Sequence, residues 1–304
     1  MQCLIILPSR WVDAAKLEMA VRTSGNPHGS NVYQVIIRLP AGCKMMIDAA
    51  IRLLALANQL AFTTRRVRLE FQEGETGTMG YLNRVGFFDH LVSSIEVTPS
   101  RPIYSGAETY RGGNSGLVEI ERINKDARDH NLPNRLTEAL MRSCGHRKDA
   151  KELEGAAWTI FAELIDNVFA HSQTPLDGYA ALQTYQGGNR LSVAVSDSGL
   201  GIMETLRPAL QHELPRLTGL SDLALLVEVF RLGLSRHGAD RGCGLKGCAA
   251  KAMKFNASLD VRLPHQRILL MPAQGAYRAN TAHCYDQLPL LWGTHIGFDF
   301  SLGA

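Results

Sequence analysis

Two stretches decide how this chain reads: Trp158-Thr159-Ile160-Phe161-Ala162-Glu163-Leu164-Ile165-Asp166-Asn167-Val168, and Leu191-Ser192-Val193-Ala194-Val195-Ser196-Asp197-Ser198-Gly199-Leu200-Gly201-Ile202. In the first, Leu153, Ala157, Phe161, Leu164, Ile165 and Val168 fall on one broad apolar face at the helical period. Glu163, Asn167 and His171 follow one another at i, i+4 and i+8 and line a polar ridge beside that face. A carboxylate, a carboxamide and an imidazole in file suit a metal–phosphate group. The plainer alternative is a solvated helix edge.

In the second stretch, Leu191 to Val195 alternates as a strand, and Asp197 falls on the side of Leu191, Val193 and Val195. A carboxylate in register with a core-facing row needs a donor partner. The amino group of an adenine is such a donor. Gly199 and Gly201 let the backbone turn sharply and let a ligand come close. An ordinary Asp-Gly turn is the competing explanation.

Glu-x-x-x-Asn on a helix, followed about thirty residues later by a strand and Asp-x-Gly-x-Gly-Ile ending at Ile202, resembles the ATP-binding fold shared by gyrase, heat-shock chaperones, histidine kinases and MutL, the GHKL superfamily. Asp240-Arg241-Gly242-Cys243-Gly244-Leu245-Lys246-Gly247 resembles that family's second glycine box, and Gly293-Thr294-His295-Ile296-Gly297-Phe298 its closing Gly-Thr strand. The four motifs stand in family order across Leu153 to Ser301, half the chain. Each alone is common; the ordered set is specific.

The resemblance implies an α/β (α+β) fold in which 117–304 form a two-layer ATP-binding sandwich with a lid at about 202–241. It implies Asn167 as a Mg²⁺ ligand, Asp197 as acceptor for the adenine amino group, and Glu163 as general base toward water or a partner's hydroxyl. Gly199, Gly201, Gly242 and Gly244 would pass close to base and phosphates, and Ile202 closes the Asp-x-Gly-x-Gly motif. Lys246 stands where many members carry no lysine and is assigned to the β- or γ-phosphate or to solvent. His171 is a phosphate-side candidate or a packing histidine, and Thr294 completes the set. Hydrolysis, transfer of the γ-phosphate to a protein serine, and a non-hydrolysing switch all remain open, with a protein partner or a second copy as the recipient of the signal.

Residues 1–105 read as a smaller α/β unit. Asn31 to Leu39 and Val67 to Phe71 read as strands, Ile47 to Phe62 as an Ala-Leu-rich helix, and Gly80 to Leu91 as a short helix. Arg68-Leu69-Glu70-Phe71 followed by Met79-Gly80-Tyr81-Leu82 resembles the STAS-like domains of sigma-factor regulators. Thr98 to Gly116, rich in Pro and Gly, is the linker candidate. Leu117 to Ile123 reads as a strand and Leu132 to Ser143 as a helix with Pro133 in its first turn. Leu220 to Leu232, and the residues from Gly247 to Phe255, read as helices. Ser258 to Leu263, Ile268 to Met271 and a closing Ile296 to Phe300 read as strands, with Pro272 to Leu288 irregular.

The chain has 304 residues and a formal net charge of +3, so bulk charge suggests no nucleic-acid interface. The six cysteines show no Cys-x-x-Cys pair or zinc spacing and fit free thiols in a reducing compartment. Apolar runs stay short of the roughly 18 residues that span a bilayer. The expectation is a cytoplasmic protein without a membrane partner.

Overall fold

The computed structural model describes residues 1–124, 126–171, 174–229, 244–274, 276–280 and 283–303. The N-terminal part runs β1 (Gln2–Ile6), β2 (Trp11–Val12), α1 (Ala14–Ser24), β3 (Gln34–Leu39), β4 (Lys44–Met45), α2 (Ile47–Phe62), β5 (Arg66–Phe71), α3 (Thr78–Arg84), α4 (Phe87–His90), β6 (Glu96–Thr98) and α5 (Gly106–Tyr110). The C-terminal part follows with β7 (Leu117–Ile123), α6 (Leu132–Cys144), α7 (Ala150–His171), β8 (Gly178–Tyr185) and β9 (Arg190–Ser196). After these come α8 (Ile202–Glu213), α9 (Pro215–Thr218), α10 (Asp222–Glu228) and α11 (Gly244–Lys254). The chain finishes with β10 (Ser258–Arg262), β11 (Arg267–Ala273), β12 (Ala276–Ala279) and β13 (His295–Ser301).

The fold is mixed α/β. Among the described residues, a parallel sheet in the order β1-β3-β5-β6 belongs to the N-terminal part, and an antiparallel sheet in the order β12-β11-β10-β13-β9-β8-β7 to the C-terminal part. β13 lies inside that sheet, between β10 and β9, and not at its margin as its place in the sequence suggests. Only long-range pairing decides this. The segment read as irregular before it contributes β12, which pairs with β11 from Leu270 to Ala273. The short helix expected over Gly80 to Leu91 is broken in two by Gly86, whose φ of +84° ends one helix and starts the next.

α2 explains how the two parts meet. It packs on β8 and β9 on one side and on β5 on the other. Helices apolar all round belong in interiors, and α2 is buried from Ile47 to Leu60 except at Asp48. Each sealed Leu or Ile there contributes roughly 1.5–3 kcal/mol. The opposite face of the antiparallel sheet carries α6, α7 and α11, with Leu153, Ala157, Phe161, Leu164, Ile165 and Val168 in its core. β9 is therefore covered on both sides: Leu191, Val193 and Val195 face α7's layer, and Ala194 faces α2's.

Among the described residues no helix is long and apolar enough to cross a membrane. The described cysteines are free thiols.

Candidate functional site

α7 presents Glu163 and Asn167, each half-buried, along the edge of its apolar face. Neither side chain meets a hydrogen-bond partner among the described residues. Burial lifts the Glu163 carboxyl above the usual carboxylate range, and the neighbouring Asp166 charge adds to this. α11 packs alongside α7, with Cys248 Sγ 3.9 Å from the Ile160 carbonyl. Burial pushes that thiol up to about 12, with the Glu163 charge contributing. His171 ends α7, and its side chain lies outside the described residues.

The Asp197 loop is knitted to the segment before β13. Asp197 N–H donates to the Thr294 carbonyl at 3.1 Å, and Thr294 N–H donates to Asp197 Oδ2 at 3.1 Å. Gly199 N–H donates to Asp197 Oδ1 at 2.7 Å. Ile202 N–H, at the start of α8, donates to Thr294 Oγ1 at 3.1 Å. The donors that make a half-buried Asp197 tolerable are thus supplied by the chain's own backbone, where sequence reasoning looked to an adenine.

The glycines serve the same closure. Gly293 has φ +91°, and a Cβ there would stand 2.1 Å from the Asp197 carbonyl oxygen. Gly201 has φ +84°, and its Cβ would press on Pro264 Cδ at 3.1 Å and on the Gly293 carbonyl oxygen at 3.3 Å. At Gly201 the close neighbours are protein atoms.

α7 comes up beside this loop. A Cβ at Gly178 would meet Val168 Cγ1 at 2.5 Å and the Ser196 carbonyl oxygen at 3.0 Å. Asn167 and Asp197 each sit one residue away from that contact. α11 begins at Gly244 and exposes Lys246 in its first turn, while Gly242 and the rest of 230–243 lie outside the described residues. Asp197, Gly199, Gly201, Ile202 and Thr294 therefore gather where the end of β9 meets the start of β13, and α7 reaches the same end of the sheet at Val168, while no hydrogen bond among the described residues joins Glu163 or Asn167 to that loop.

Sequence reasoning missed Gln59. From the last turn of α2, its Nε2 donates to Ser198 Oγ at 2.9 Å and to the Trp292 carbonyl at 3.0 Å, and its Oε1 accepts from Trp292 N–H at 2.9 Å. Its signal was Asn58-Gln59 inside an otherwise apolar run. Trp292 also stacks on His28, ring centroids 5.5 Å apart. The N-terminal part thus grips both loops of the site.

Among the described residues no group of three or more His, Cys, Asp or Glu side chains could hold a metal. Mg²⁺ does not need one, since it takes one or two protein oxygens and fills its shell with phosphate and water. The unpartnered Asn167 carboxamide fits that demand. No family model matches the sequence, and a search of curated proteins finds no match either.

Proposed function

We propose that the chain is a Mg-ATP-binding regulator of the GHKL type, acting in the cytoplasm, that turns over ATP and passes the state of its lid to a protein partner or a second copy. The observation that carries this is the pair Glu163 and Asn167: two half-buried side chains without hydrogen-bond partners among the described residues, one helical turn apart on the helix whose Val168 packs at the end of β9 that leads into the Asp197 loop. Asn167 would hold the metal, which would neutralise phosphate charge. Glu163, its carboxyl raised by burial, suits a group that takes a proton from water or a hydroxyl. The Asp197 loop and Thr294 would position the base, and Lys246 the phosphates. A lid over 202–241 would begin with α8, α9 and α10.

The bonds from Gln59 favour a second reading, a switch whose output is the N-terminal part and whose hydrolysis is slow. Nucleotide titration and phosphate release by wild type and Glu163→Gln separate the two. Turnover predicts retained binding with a rate lower by about 10²–10⁴-fold. Equal rates leave only the switch, and no nucleotide affinity in wild type overturns both.

A further inference from the structure

β1 forms one margin of the parallel sheet, and its backbone there is uncovered. Leu7 N–H donates to the Arg38 carbonyl and the Met1 carbonyl accepts from Tyr33 N–H, so the odd-numbered residues along β1 bond to β3. Backbone groups alternate sides along a strand, so the N–H and C=O of Gln2, Leu4 and Ile6 point out of the sheet edge. They find no hydrogen-bond partner among the described residues.

The other margins of the two large sheets are protected. β6 is three residues long, pairs its Glu96 with Arg68 and runs into Pro99. β12 has four residues and carries Arg278. β7 is bulged between Val118 and Glu121, and its Ile120 N–H donates to the Val85 carbonyl at 2.8 Å. Shortness, charge, proline and bulges are the usual means by which a sheet edge avoids joining another strand. β1, Gln-Cys-Leu-Ile-Ile in unbroken register with β3, has no charge, no proline and no bulge.

The side chains point the same way. Cys3, Ile5, Val35, Ile37, Val67 and Leu69 face the core that α2 shares. On the other face the inner strands carry ion pairs, Arg38 Nε to Glu70 at 2.9 Å and Arg68 Nε to Glu96 at 2.7 Å. The apolar residues of that face stand at its margin: Leu4, opposite Ile36, is 36% exposed and Ile6 is 51% exposed. A solvated edge would have the charges outermost.

From these features we infer that β1 pairs antiparallel with β1 of a second copy of this chain, about a two-fold axis through Leu4. Two features select a copy over a foreign strand. The outward groups are spaced evenly about Leu4, so the axis sets Leu4 against itself and Gln2 against the partner's Ile6. Each opposed pair exchanges two hydrogen bonds, about six in all. Self-pairing also sets like against like at the centre, which a charged residue would resist and this uncharged strand permits. The join uses up both edges, so assembly stops at two. It lies on a different sheet from the one that α7 covers and does not depend on the nucleotide reading. A join of one five-residue strand is small for an interface, and its dissociation constant is expected on the order of micromolar.

The test is sedimentation velocity of the full chain from about 1 to about 200 µM. Wild type should pass from monomer to dimer with no larger species. Leu4→Lys, at a side chain already in solvent, sets two like charges together and should weaken the dimer by about tenfold or more. Should that variant fail to fold, Gln2→Lys with Ile6→Lys is expected to separate the copies, and Gln2→Lys with Ile6→Glu to rejoin them. Wild type that stays monomeric throughout overturns the inference and leaves the edge to a strand of another protein. A dimer as tight in folded Leu4→Lys as in wild type, or assembly that continues past two copies, overturns it as well.

Discussion

Gln59 of α2 and Ser198, the residue after Asp197, are joined by a 2.9 Å hydrogen bond with both residues sealed from solvent. The same carboxamide holds Trp292 by both its N–H and its carbonyl. One side chain of the N-terminal part therefore bridges the two loops that carry Asp197 and Thr294, adding to the bonds those loops make with each other.

Replacing Gln59 by Leu keeps the volume and removes every one of these bonds. The Trp292 N–H is then buried without its acceptor, at a cost of about 1–3 kcal/mol. Urea unfolding should show a lower midpoint at unchanged slope. On the nucleotide reading, affinity for ATP should fall as well, although Gln59 does not reach α7.

Thr294→Val removes the oxygen that accepts from Ile202 N–H and leaves the backbone bonds to Asp197 in place. A loss of about 0.5–1.5 kcal/mol is expected, with Thr294→Ser restoring most of it. A Val variant as stable as wild type would mean that the start of α8 is held by something else.

Glu18 of α1 and Arg262 of β10 form an ion pair of 3.0 Å, 4% and 1% exposed, and Glu18 also faces Arg52. Glu18→Gln leaves both guanidiniums short of counter-charge and should cost about 3–5 kcal/mol. Glu18→Leu combined with Arg262→Leu should recover much of the loss. Additive destabilisation in the double variant would show that the two do not act as a pair.

Asp299 gives a pH signature. Burial lifts its carboxyl to about 6 against the pull of Arg190, from 3.8 in the unfolded chain. The folded state then binds the proton more tightly, so this group's stabilisation is full below 3.8 and is lost as pH rises to about 6. Solvent reaches 35% of the side chain, which moderates the effect. Unfolding midpoints of wild type should decline across that window relative to Asp299→Asn, and parallel curves would contradict it.

Where the sequence could be read, local pattern and burial agree. The limits of α2 and β7 are those its periodicity and alternation suggest, and α7 buries the apolar row expected of it. α1 escaped because its buried stripe is Ala14, Leu17, Glu18 and Val21: an acid occupies an apolar position, and its partner Arg262 lies 244 residues away. β8 escaped because Ala180 and Ala181 are poor strand formers, sealed between two layers that local sequence does not reveal. In the site, sequence named the motif residues one by one. The Asp197–Thr294 bonding and the hold of Gln59 were not, since each joins positions remote in the chain.

Because α2 lies between both sheets, severing the chain near Gly112 would not yield two autonomous halves. A fragment starting at Leu117 would bare Tyr179, Ala181 and Ala194, now sealed beneath that helix, and would be prone to self-association. The complementary fragment would lose the surface that hides Arg52 and Gln59. Unfolding of the intact chain should accordingly be a single cooperative event shared by both parts, and not two melting transitions in succession.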